Sequence, residues 1–156
     1  MALRFDINET MAGTHHFVDP ARDPGKDREI YFRIRWGAPI GGFVASRVKE
    51  SDCEGFVSVA GLTDGEVPCS GTLSLDYFGE HKLVYELDFE VAGARHHLHA
   101  EKVGVELRRP FELAKTHTTA YGTLTDAKGN VVSRSVLHFS PQDLGRFAMS
   151  LRLRRR

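Results

Sequence analysis

The sequence predicts an all-β fold: a single antiparallel meander barrel of about nine or ten strands, lipocalin-like in type. Three observations carry that expectation. Apolar and polar residues alternate along most of the chain, which is the period of half-buried strands. The spacers between alternating runs, such as "FGEHK", "VAGAR" and "DAKGN", hold the Gly and Asn that tight turns between antiparallel neighbours require. No amphipathic stretch exceeds a turn or two of helix, "SPQDLGRF" at 140–147 being the best candidate. Sequential strands in one small domain must hide their edges as well as one face, and closure into a barrel does both.

The elements follow in order. A first strand spans Phe5–Val18, with Glu9, Met11, Gly13, His15 and Phe17 on one face. The polar stretch "DPARDPGKD" at 19–27 reads as a loop because Pro20 and Pro24 block a helix or central strand. In "REIYFRIRWG" Ile30, Phe32, Ile34 and Trp36 oppose Tyr31, Arg33 and Arg35. Two short strands are expected at Phe43–Lys49 and Gly55–Leu62, and "GTLSLDYFG" puts Leu73, Leu75 and Tyr77 on one face. "KLVYELDFEV" sets Leu83, Tyr85, Leu87 and Phe89 against Lys82, Glu86, Asp88 and Glu90. The remaining candidates are His96–Glu106, His117–Asp126, Val131–Phe139 and Phe147–Leu153.

Composition narrows the function classes. A length of 156 residues suits one domain, 1–156, with a proper core. Lys+Arg and Asp+Glu both number 21, so no net field draws nucleic acid or an anionic membrane; the basic "LRLRRR" at 151–156 reads as a solvated strand end. No run approaches the ~18 apolar residues of a membrane span, and "MALRFDINETMAG" lacks the apolar region of a secretory leader. A cytoplasmic protein without a membrane span is expected. Cys53 and Cys69 are too few and too widely spaced for a zinc knuckle or a disulfide framework.

Candidate chemistry starts at "RHHLHAEK", residues 95–102, where alternation puts His97, His99 and Glu101 in one row. Two imidazoles at alternate strand positions are a geometry that zinc and iron sites use. A further ligand would have to come from His15, His16 or His117, and no longer metal motif occurs, so an ordinary strand face is expected and no metal. Glu101 and Lys102 are adjacent and must point to opposite sides of the sheet. In "AKTHTTAYGTLTD" His117, Thr119 and Tyr121 share a face, offering an imidazole, a hydroxyl and a phenol to orient a polar ligand group. Arg134 in "VVSRSVLHF" is external if Val131, Ser133, Ser135, Leu137 and Phe139 face the core; in the opposite arrangement it is placed to pair with Glu101. There is no G-x-S-x-G elbow, and "GAPIGG" lacks the strand–turn–helix setting of a phosphate loop.

The segments "GTLSLDYFG", "LVYELDF", "HLHAEKVGV", "THTTAYGTL" and "VVSRSVLHF" together resemble the β-rich region accompanying bacterial cholesterol-oxidase-like flavoproteins of the glucose–methanol–choline oxidoreductase group. The chain departs from those enzymes in lacking the G-x-G-x-x-G motif of the flavin-binding half, so neither FAD nor oxidase activity carries over and no cofactor is expected. The resemblance implies a lipid- or sterol-related role for a free-standing, calycin-like barrel.

The favoured expectation is non-catalytic binding of a small hydrophobic ligand in the barrel, with Trp36, Tyr85, Glu101, Lys102, His117, Thr119, Tyr121 and Arg134 as ligand-binding residues. One alternative is a small barrel enzyme using Glu101 and His117 as acid and base, or a His97/His99 metal site. Another is an accessory domain to a lipid- or sterol-metabolising enzyme, or a homodimer joined through an edge strand.

Overall fold

The computed structural model describes residues 3–22, 26–39, 48–76, 82–103, 119–138 and 152–155. Alternating runs become strands in chain order: β1 (Leu3–Phe17), β2 (Arg28–Pro39), β3 (Val48–Val59), β4 (Val67–Asp76), β5 (Lys82–Val91), β6 (Ala94–Val103), β7 (Thr119–Thr125), β8 (Val131–His138) and β9 (Arg152–Arg155). Each strand from β1 to β7 pairs antiparallel with the next, and β8 returns to β1, so eight strands close a barrel. Among the described residues there is no helix.

The ring therefore holds eight strands, fewer than the nine or ten expected. β9 lies outside it: it pairs with Leu3–Asp6 of β1, beyond the stretch Ala12–Phe17 that β8 occupies. The strand expected at Gly55–Leu62 starts earlier than expected, and residues 43–47 of the one expected at Phe43–Lys49 lie outside the described residues. A single β3 runs through the acidic stretch between them, with Glu50, Asp52 and Glu54 outward and Ser51, Cys53, Val57 and Val59 buried. Ser51 and Cys53 are weakly apolar, which hid the inner row. Residues 40–47, 104–118 and 139–151, and with them Phe43, His117, Phe139 and Phe147, lie outside the described residues.

The apolar rows meet inside the ring. Met11, Phe32, Val57, Leu73, Tyr85 and Leu98 are each fully buried, and burying a side chain of this size stabilises by about 1.5–3 kcal/mol. Phe32 on β2 and Tyr85 on β5 reach across the interior, their ring centroids 5.2 Å apart. Closure needs strongly coiled strands, and glycine permits it. A Cβ on Gly13 would lie 1.9 Å from the Val136 carbonyl oxygen, and one on Gly71 1.7 Å from that of Glu86.

The two ends of the barrel differ. At one end β5 and β6 join through Ala92 and Gly93, both at positive φ (50° and 79°), as a two-residue hairpin demands. At the same end Asp126 Oδ1 accepts hydrogen bonds from the backbone of Lys128 (2.9 Å) and Asn130 (3.0 Å) and pins the β7–β8 turn. Strands β2, β4, β6 and β8 all finish at the other end.

Candidate functional site

β6 divides its side chains strictly between the two faces of the wall. His96, Leu98, Ala100 and Lys102 are buried inside, and His97, His99 and Glu101 are half-buried outside. Of the adjacent pair, Lys102 is therefore the one that looks into the barrel.

Inside, Lys102 meets Glu9 of β1. Lys102 Nζ donates to Glu9 Oε1 at 2.9 Å, and the two side chains are each only 6% exposed. The Tyr85 hydroxyl donates to the same oxygen at 2.5 Å, and the Lys102 ammonium stands 5.4 Å from the Tyr85 ring centroid. One carboxylate thus gathers an ammonium and a phenol from β6 and β5, among apolar neighbours. Trp36, Ser51, Leu83 and Ala120 stand at the same end of their strands as Lys102. Below them the packed layer of Met11, Phe32, Leu73 and Tyr85 forms a floor.

Other interior polar groups are separate from this cluster. His15, towards the opposite end, donates from Nε2 to the Ala60 carbonyl oxygen at 2.9 Å. Burial lowers its pKa, so the ring is neutral at pH 7. Burial pushes the Cys53 thiol up to about 12 and the Cys69 thiol up to about 11, which removes the thiolate that nucleophilic work requires.

Outside, the row His97, His99 and Glu101 meets the carboxylates of β5. His97 bonds Asp88 Oδ1 through Nδ1 at 2.8 Å and Glu86 through Nε2, while His99 bonds Glu86 through Nδ1 and Glu101 through Nε2 at 3.0 Å. Partial burial alone would lower both imidazole pKa values, but the carboxylate hydrogen bonds outweigh it and raise them. Glu101 is held below its ordinary value chiefly by His99, with Lys82 at 3.7 Å adding to the effect. Partial burial would raise Asp88; His97 and Arg95 overcome it and lower the pKa. Among the described residues no group of three or more His, Cys, Asp or Glu side chains converges on a metal position. The imidazole nitrogens are engaged by carboxylates instead.

The wall of the barrel splits the residues singled out from sequence. Trp36, Tyr85 and Lys102 are inside, and the last two are in contact. Glu101, Tyr121 and Arg134 are outside and line one groove. Thr119 is half-buried outside, its hydroxyl 3.2 Å from His138 Nδ1. Glu101 engages Lys82 and His99 rather than Arg134. A second groove of about 870 Å³ on the outer face holds Phe56, Asp88 and Arg95 but none of the inner cluster. Glu9 was read from sequence only as a member of a core face. The signal that would have found it is a pair of misfits: one carboxylate in the row Met11, His15, Phe17 and one ammonium in the row Leu98, Ala100.

No protein-family model, no curated protein and no solved structure matches the chain. The class is the one its fold and interior define: a closed, eight-stranded antiparallel β-barrel with a buried Glu–Lys–Tyr cluster.

Proposed function

We propose that the chain binds a small hydrophobic molecule, in the manner of a lipocalin-like barrel, at the end where Glu9, Tyr85 and Lys102 meet. The observation that carries this reading is the buried Glu9–Lys102 pair. Replacing a buried ion pair by apolar side chains is often neutral or stabilising, so its presence is poorly explained by stability alone. An apolar cup with a few fixed polar groups is what orients a hydrophobic ligand that carries one polar end. Trp36, Leu83 and Ala120 supply buried apolar surface at the same end of the barrel.

Charge balance selects the polar end. The ammonium and the carboxylate already neutralise one another, so a ligand carboxylate would bring a buried charge with no counter-ion. A hydroxyl or carbonyl adds none; the Lys102 ammonium is a donor for either, and the Glu9 carboxylate an acceptor for a hydroxyl. A long-chain or sterol-like alcohol fits these requirements, in keeping with the resemblance of the strand motifs.

Trp36 is the single tryptophan, so its fluorescence reports binding at this end without labelling. Titration with dodecanol and with cholesterol is expected to give a saturable change, and dodecanoate a weaker one. Absence of a saturable change with either alcohol, together with no retained lipid in native mass spectra, overturns the reading.

A further inference from the structure

The residues placed outside the barrel form a site of their own. Glu101, Tyr121 and Arg134 line a groove of about 550 Å³ on the outer face of β6, β7, β8 and β1, within the range of small-molecule sites. The register builds it in two rows. Glu101, Tyr121, Val136 and Thr14 follow one another across the four strands, and His99, Thr123, Arg134 and His16 form the next row. Asp27, from the connection between β1 and β2, also lines it.

Tyr121 is the anomaly in this surface. It is 63% exposed, a large aromatic ring on the outer face of a strand whose inner row, Ala120 and Leu124, is buried in the core. The ladder holds the phenol ring out in the groove, between Glu101 and Val136 in its own row and beside the polar second row. Glu101 is fixed by the His99 imidazole at 3.0 Å and by Lys82 at 3.7 Å, so one acceptor is preorganised beside the ring.

We propose that this groove binds a neutral carbohydrate chain, with a sugar ring lying against Tyr121 and its hydroxyls bonded to Glu101, Thr123 and Arg134. The inference is independent of the interior cluster. The lining selects the ligand by elimination. A phosphate or sulfate would meet the Glu101 and Asp27 carboxylates, and a cation would meet the Arg134 guanidinium. A lipid tail would cover Thr123, Arg134 and His16 without offering them a hydrogen bond. A hydroxyl both donates and accepts, and so uses carboxylate and guanidinium together. The aromatic ring supplies an amphipathic contact of large area for the apolar C–H face of a pyranose.

The test uses the intact chain and three neutral hexasaccharides, maltohexaose, cellohexaose and chitohexaose, with ATP as the anionic comparison. Binding is read by ligand-observed saturation-transfer NMR and by shifts of the Tyr121 and Thr123 backbone amides. At least one hexasaccharide is expected to bind more tightly than ATP. Tyr121→Ala should weaken it by about tenfold or more, equivalent to about 1.4 kcal/mol, and Tyr121→Trp should retain it. Glu101→Gln should weaken it less. Because Tyr121 is exposed, the thermal midpoint of Tyr121→Ala should match the parent, which separates a lost contact from a lost fold. Failure of all three hexasaccharides to bind, tighter binding of ATP, or binding that is indifferent to Tyr121→Ala overturns the proposal.

Discussion

The two faces of β6 carry the same kinds of groups and use them differently. Inside, one ammonium and one carboxylate, each 6% exposed, make a single 2.9 Å bond that Tyr85 completes. Outside, two imidazoles and three carboxylates share a chain of contacts at roughly a third exposure. Water makes the difference. An outer group that loses its partner is resolvated, whereas an inner one is stranded at the full cost of desolvation. The inner pair is all-or-none, and the outer strip is graded and responsive to pH.

The most severe way to break this comparison is Lys102→Met, which strands the Glu9 carboxylate. A loss of about 3–5 kcal/mol is expected in urea unfolding, and most of it should return in the double variant Lys102→Met with Glu9→Leu. A single-variant loss under about 1 kcal/mol would mean that the inner pair behaves like a surface one. Next in size, Glu9→Gln leaves Lys102 as a cation whose former counter-ion is gone. Dodecanoate should then bind at least about tenfold more tightly than to the parent, a gain of about 1.4 kcal/mol, read from Trp36 fluorescence.

A further contrast concerns the thiols. With Cys53 raised to about 12 and Cys69 to about 11 by burial, the native chain should resist iodoacetamide at about pH 8, where free thiols near pKa 8.5 react readily. Unfolding in guanidinium should expose both, with mass spectrometry counting the adducts.

The smallest effect belongs to the outer strip, and its sign follows from the two kinds of shift. His97 and His99 are raised above the ordinary 6.5, so their contribution is complete below that value and is lost as pH rises through the raised folded values. Asp88 and Glu101 lie below their ordinary 3.8 and 4.5, so theirs is complete above those values and is lost as pH falls through the lowered ones. The strip should stabilise most between about pH 5 and 6.5 and weaken as pH rises further. Exposure and salt limit the change to about 1 kcal/mol or less, and His97→Gln with His99→Gln should flatten it. Thermal midpoints across pH, with imidazole NMR titration, provide the measurement.

Much of this fold was legible in the period of the sequence. The inward rows of β2 and β5 follow directly from strict alternation, and Arg134 points outward because Ser133, Ser135 and Leu137 are buried. β3 was legible only in principle. Its outer row of Glu50, Asp52 and Glu54 marks the period clearly, but an inner row beginning with Ser51 and Cys53 carries too little hydrophobicity to announce a strand. The candidate site was half legible. Alternation forces Glu101 and Lys102 apart without saying which is inside, because both flanking rows contain histidine. The partnership of Lys102 with Glu9 spans 93 positions, a distance at which local pattern carries no information. It comes from ring closure, which periodicity implies without fixing its register.

That closure also has a cost in time. Every ladder from β2 to β8 joins strands adjacent in sequence, so each can form as a hairpin within its own stretch of chain. The seam between β1 and β8 joins residues as distant as Ala12 and His138. Loop-closure entropy is met there before any contact rewards it, and such non-local pairing sets the pace of folding. The β1–β8 seam is consequently the step on which assembly waits, and the Glu9–Lys102 bond is a contact that only the finished ring can make.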